Sequence, residues 1–163
     1  MPRLSPRLSV TLGLAAAFAV GLALPRPGGA QTAANATGLV GWEALKGTEA
    51  PWGEIRRYFT GETAATKDLL IAAVVVKPGM AVHKAHRHAE EEYLYIVEGT
   101  GTWKVDGKES PLKKGDVLYA EPWAFHGLTN TGTEPLTFFV VKYNGKGVQP
   151  PAHPGDGKPD EEK

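Results

Sequence analysis

The sequence predicts an all-β sandwich or barrel, and three observations carry the prediction. Its apolar residues fall in short runs rich in β-branched and aromatic types, separated by Gly, Pro, Asn and Asp. Turn chemistry sits between the runs, as in Asp106-Gly107 and Asn130-Thr131-Gly132. Helical periodicity is nearly absent, the only candidate being residues 41–46, which are short and weakly patterned.

In chain order the expected strands are residues 54–60, 69–76, 93–97, 101–105, 117–120, 125–128 and 136–143. Asp106-Gly107 links the fourth of these to Lys108-Glu109 as a two-residue hairpin turn. Residues 69–76 read LLIAAVVV without alternation, so both faces of that strand should be covered. Residues 136–143, LTFFVVKY, read the same way. A small β-barrel with two such strands often hides its surplus apolar face against a second copy, which predicts a homodimer.

The two ends read differently from the middle. Residues 1–30 carry Arg3 and Arg7, an uncharged run from Leu8 to Leu24, a Pro/Gly break and small residues up to Ala30. This is the layout of a Sec-type secretory signal peptide, since a spanning helix needs about 20 apolar residues and this run is shorter and rich in Ala and Gly. The chain is therefore expected to be exported, periplasmic or secreted, with no stable membrane anchor. Residues 31–37 are a featureless mature start, and residues 144–163, rich in Pro and Gly, are expected to be a disordered tail. His153 in that tail is expected to be solvated. The folded unit is then residues 38–143, one domain.

Charge and cysteine content exclude several functions. The 18 Lys+Arg balance 18 Asp+Glu over the whole chain, but Arg3, Arg7 and Arg26 lie in the expected leader, which has no acid. Without it 15 basic residues face 18 acidic ones, a net charge near −3 that argues against nucleic acid and anionic membrane surfaces as partners. With no Cys there are no disulfides, thiolate metal sites or Cys nucleophiles. Chemistry must come from His and carboxylates.

Three of the five histidines stand in His83-Lys84-Ala85-His86-Arg87-His88. In an extended segment residues i and i+2 share a face, so His86 and His88 point together while Arg87 points away. Glu92 then opens the apolar run 93–97, where a carboxylate is costly unless it is exposed or meets a cation. Two imidazoles and a carboxylate converging on one point would make an N/O site for a divalent metal. The alternative is a surface His-x-His pair followed by a solvated acidic turn.

The second half of the pattern decides between them. Pro78-Gly79, His86-x-His88, three residues, Glu92, six residues and Gly99 resemble the first motif of the cupin superfamily. Gly115-Asp116, Pro122, His126 and Asn130 resemble its second, and the fifteen residues between Gly99 and Gly115 look like the short spacer of small single-domain cupins of the quercetin-dioxygenase-like kind. Two departures stand out: six residues rather than five separate Gly79 from His86, and Pro122 stands one place late. The extra residue fits a bulge and leaves the role of His83 open.

The resemblance implies a double-stranded β-helix, or jelly-roll, barrel in which His86, His88, Glu92 and His126 bind one metal. It implies turn glycines at Gly79, Gly99 and Gly115, and an Asn130 that fixes a loop. Trp123 and Phe125 flank His126 and are the preferred pocket walls, with Trp103 and Tyr119 as further candidates. The expected cofactor is a divalent ion, Zn, Cu, Ni, Fe or Mn, and loading after export would favour Zn or Cu. The expected activity is that of a metal-dependent, dioxygenase-type oxidoreductase acting on a small aromatic or keto-enol substrate. The alternatives are a non-catalytic metal or small-molecule binding module and a cupin isomerase or lyase.

Overall fold

The computed structural model describes residues 37–162, so the expected signal peptide and all but the last residue of the mature start lie outside the described residues. Among those described, nine strands follow one 3-10 turn at Trp42–Ala44: β1 Thr48–Ala50, β2 Gly53–Thr60, β3 Thr66–Val76, β4 Glu91–Glu98, β5 Thr100–Val105, β6 Lys108–Lys113, β7 Val117–Ala120, β8 His126–Thr129 and β9 Leu136–Gly145. The expected helical stretch is thus a single 3-10 turn, over which Arg56 lays its guanidinium 4.3 Å from the Trp42 ring. No described helix is long and apolar enough to cross a membrane.

All pairings are antiparallel. One sheet has the order β1-β2-β3-β9-β4-β7 and the other the order β6-β5-β8. Every expected strand is present; β1 and β6 are additional. β6, KESPLK, buries only Leu112, so its apolar signal is a single residue and its existence follows from the hairpin alone. Asp106 and Gly107 both take positive φ, 47° and 81°, the pairing a two-residue turn needs to match strand twist.

The first sheet is organised by parity. Across its rungs Ala72, Val140, Leu94 and Leu118 stand opposite one another, as do Val74, Phe138 and Ile96. These residues are the buried core, joined by Trp103, Leu112 and Leu128 from the second sheet. Each fully buried Ile or Leu of this set stabilises the fold by about 1.5–3 kcal/mol. The next inward rung, Leu70, Lys142, Glu92 and Ala120, turns polar and opens the barrel toward the histidines.

The expected turn glycines have positive φ: 74° at Gly79, 89° at Gly99 and 92° at Gly115. Gly99 is the most constrained, because a Cβ there would lie 2.7 Å from the Pro135 carbonyl oxygen. Asn130, 0% exposed, donates through Nδ2 to the carbonyls of Val76 and Glu134, both at 2.9 Å, and accepts from Gly132 N through Oδ1 at 2.9 Å. It pins the 130–135 loop to the end of β3, as a loop-fixing residue should.

The C-terminal residues depart from the expectation of disorder. β9 runs to Gly145, and the chain then returns to lie along residues 85–87, with Arg87 N bonded to Asp160 O at 2.9 Å and Glu162 N to Ala85 O at 2.8 Å. Glu162 also pairs with Lys104. Composition registers little apolar surface here and misses that the segment docks by backbone pairing and carboxylates.

Candidate metal centre

Three backbone elements assemble the site. Residues 85–88 run beside β8, with His86 and His126 exchanging backbone hydrogen bonds at 2.8 Å in both directions. That pairing sets the two rings side by side, centroids 4.8 Å apart. The i+2 relation brings in His88, at 5.1 Å from His86 and 5.0 Å from His126. One ring nitrogen from each of the three lies within 4.8 Å of the others, so the three imidazoles could hold a metal ion.

Glu92, at the start of β4, reaches the same cluster. Its Oε2 is 3.2 Å from His88 Nε2 and its Oε1 4.0 Å from His126 Nε2. The four residues singled out in the sequence therefore converge. His126 Nδ1 faces the Ala124 carbonyl at 2.9 Å and His88 Nδ1 faces the Glu90 carbonyl at 3.1 Å. With a proton on Nδ1, the His126 Nε2 lone pair turns to the centre, the arrangement that outer partners impose on ligating histidines, while His88 Nε2 lies against the Glu92 carboxylate.

Electrostatics point the same way. Burial, reinforced by the neighbouring His83, His126 and His88, pushes His86 down from 6.5 to about 3. Burial also lowers His126. Burial pushes the Glu92 carboxyl up, but the hydrogen bond from His88 and the charges of His126, His88 and Lys142 outweigh it, and the net direction is down. Neutral imidazoles and an ionised carboxylate are the forms that bind a divalent cation. The most telling observation is that His86 Nδ1 and His126 Nε2 are buried without any hydrogen-bond partner. An orphaned polar atom in a protein interior is costly, and a ligand to be bound is one way to answer it.

A cavity of about 230 Å³ opens onto His86, Glu92 and His126. Its aromatic walls are Trp103 and Phe138, and neither Trp123 nor Phe125 lines it. Trp123 has a φ of 66° and directs its indole outward, donating to Pro151 O at 2.7 Å and meeting His153 edge-on at 4.7 Å. Phe125 precedes His126 and has the opposite parity, so it too leaves the interior. Trp103, from β5, packs 5.3 Å from His126. Tyr119 is exposed, stacked on Tyr93 outside the barrel. His83 is at the cavity rim, its ring 4.0 Å from His86, and His153 pairs with Asp160 in the tail, away from the cluster.

Sequence reasoning missed Lys142, which lines the cavity. The signal was present: within 136–143 the buried positions are Leu136, Phe138 and Val140, and Lys142 is the next of that parity.

Comparison with known proteins agrees with this architecture. The cupin domain model matches residues 72–142, which include all four convergent residues. A gentisate 1,2-dioxygenase from Streptomyces sp is 36% identical over 81 residues, 49% of this chain and 22% of the enzyme's length, so the chain spans only about a fifth of that protein. The oxalate-binding protein of Thermotoga maritima is 32% identical over 88 residues, 54% of this chain and 73% of that protein. Among solved structures, a predicted oxalate decarboxylase from Thermotoga maritima superposes with a TM-score of 0.54 at 25% identity, covering 65% of this chain and 98% of that one. Both sheets, the two histidine motifs and a relative matched over most of its length converge on one conclusion: the chain belongs to the cupin family.

Proposed function

We propose that this protein is an exported, metal-dependent oxidoreductase of the dioxygenase type, with a divalent ion held by His86, His88, His126 and Glu92 and a small aromatic or keto-enol substrate in the adjoining cavity. The observation that carries the reading is the pair of buried, unpartnered ring nitrogens on His86 and His126, in a cluster that already contains a carboxylate. A bound ion supplies Lewis acidity and open coordination positions. The protein supplies the rest: Trp103, Phe138 and the aliphatic wall exclude water, Ala124 and Glu90 orient the rings, and Glu92 offsets positive charge.

Similarity to a gentisate dioxygenase supports the oxidative reading. Similarity to an oxalate-binding protein favours a second one, a receptacle that binds without turnover. Oxygen uptake by metal-loaded protein on flavonols, catechols, β-diketones and dihydroxybenzoates separates them. Consumption of oxygen with at least one class is expected, and tight binding of one with no consumption by any would leave the receptacle. Elemental analysis of protein matured in its own compartment is expected to find Zn or Cu, and Fe or Mn alone would remove the loading-after-export argument.

A homodimer belongs to the same reading. Tyr93, Tyr95, Val117 and Tyr119 are exposed on the outer face of β4 and β7, an apolar surface suited to a second copy. Sedimentation at micromolar concentration is expected to give twice the chain mass, and a monomer there would remove it.

A further inference from the structure

The central strand β9 feeds one row of side chains into the barrel. Leu136, Phe138 and Val140 are buried, and Lys142 is the next residue on that face. Its Cα is paired with Leu70 on one side and with Glu92 on the other, so Lys142 stands directly across the ladder from the carboxylate of the histidine cluster. It lines the same cavity as His86, Glu92 and His126.

Leu70, Val74, Leu94 and Val140 line the same cavity, so a cation drawn into it is disfavoured unless something answers its charge. Among the described residues Lys142 forms no ion pair or hydrogen bond, while Glu92 Oε2 is engaged by His88 at 3.2 Å. A structural role at this register would be met by another aliphatic residue, as it is at Leu136 and Val140. The cavity lining therefore includes a cation that couples to Glu92 through space but is tied down by no direct hydrogen bond or ion pair among the described residues.

Charge counting sharpens the point. With three neutral imidazoles, the charges in the cavity are Glu92, Lys142 and the divalent ion, a sum of about +2. A ligand carrying one carboxylate and one phenolate or enolate oxygen would neutralise it, whereas a neutral ligand would leave the excess buried. The cavity volume of about 230 Å³ restricts such a ligand to a small one, since ligand pockets usually run to about 300–1,000 Å³.

We propose that Lys142 is the anion anchor of the cavity, receiving the carboxylate of a small aromatic hydroxy-acid or keto-acid whose other oxygen reaches the His86, His88 and His126 cluster. This rests on the metal-centre reading above and narrows its substrate class. Lys142 is then a specificity-determining residue.

The test compares 2,3-dihydroxybenzoate with catechol, which lacks only the carboxylate, by calorimetric titration of wild type, Lys142→Met and Lys142→Arg in metal-loaded and metal-free form. Wild type is expected to bind the acid at least about tenfold more tightly than catechol, the scale of one charge-assisted hydrogen bond. Lys142→Met should abolish that preference while leaving catechol affinity and bound metal unchanged, and Lys142→Arg should keep most of it. A Lys142→Met protein that retains the preference overturns the proposal, as does a wild type that binds neither compound. Loss of metal from Lys142→Met with the preference intact in the loaded fraction also overturns it, assigning Lys142 to the support of Glu92. A Lys142-dependent preference in the metal-free protein stands even if no ion loads, and binding without oxygen uptake sinks the dioxygenase reading while sparing the anchor.

Discussion

Adjacent residues of one short segment face opposite fates. Arg87, on the outer face, is 6% exposed and has an acceptor for each of its nitrogens: Asp160 for Nε at 2.8 Å, Asp156 for Nη1 at 3.2 Å and for Nη2 at 3.0 Å, with Lys158 O at 2.7 Å from Nη2. His126 and His86, on the inner face, are buried or half-buried and each keeps a ring nitrogen with no partner. Both faces place polar groups out of water, yet the chain answers one of them and leaves the other open. Burial with full satisfaction is architecture, and burial without it marks where something else can bind.

The sharpest way to break the contrast is at the open face. His126→Ala or His86→Ala should reduce bound metal from about one ion per chain to traces by elemental analysis, because the apolar wall offers no replacement for the lost ligand. Stoichiometric metal on His126→Ala would end the assignment of the cluster as a metal site. Removing the ion from wild type should come next in size. An ion present at about 1,000 times its dissociation constant stabilises the native state by about 4 kcal/mol, so chelation should lower the thermal midpoint by several degrees.

Acid should dissect the two faces at different pH. The folded protein holds His86 neutral down to about 3, whereas the unfolded chain takes up the proton near 6.5. Between those values the unfolded state binds more protons, so the stability of the metal-free protein falls as pH is lowered through this window. On the outer face the Arg87 hydrogen bond holds the Asp156 carboxyl down at about 2 against an ordinary 3.8. Its contribution is complete above 3.8 and is lost only as pH falls toward about 2. Denaturant midpoints should therefore decline from pH 6.5 downward while the tail stays protected from proteolysis until below 4. Release of the tail at pH 6 would contradict the separation.

The inner face was the legible one. Metal-ligating residues are few in kind and fixed in spacing, and the period-2 rule alone gives His86 and His88 a common side; the motif spacing then selects Glu92 from three adjacent glutamates and adds His126 from another strand. Strand positions were legible because each run carries several β-branched or aromatic residues, and β6 was not because it carries one buried residue. The cavity walls were misplaced because Trp123 adopts a left-handed backbone conformation, which turns a neighbour of His126 away from it. The outer face was illegible because Arg87 finds its partners some 70 positions away, at Asp156 and Asp160, and composition carries no record of which carboxylates a docked tail presents.

The outer face should yield smaller effects, and their order tests whether the tail acts through Arg87. Arg87→Met keeps the stem but removes every acceptor contact of the guanidinium, so the segment 146–162 should become sensitive to protease. Metal affinity should fall by less than the roughly 10–100-fold that follows loss of a direct outer-shell partner, since Arg87 touches the ligands only through the backbone it shares with them. His153→Ala is the mildest change. Its ring is exposed, accepts Gly155 N at Nδ1 and shares Asp160 with Arg87, so the carboxylate keeps its Arg87 partner when the imidazole is lost. An exposed pair of this kind contributes little. His153→Ala should leave bound metal unchanged and move the thermal midpoint by less than Arg87→Met does. A larger shift from His153→Ala, read in the same melting experiment, would place the hold on the tail at the Trp123 and His153 contact instead of at Arg87.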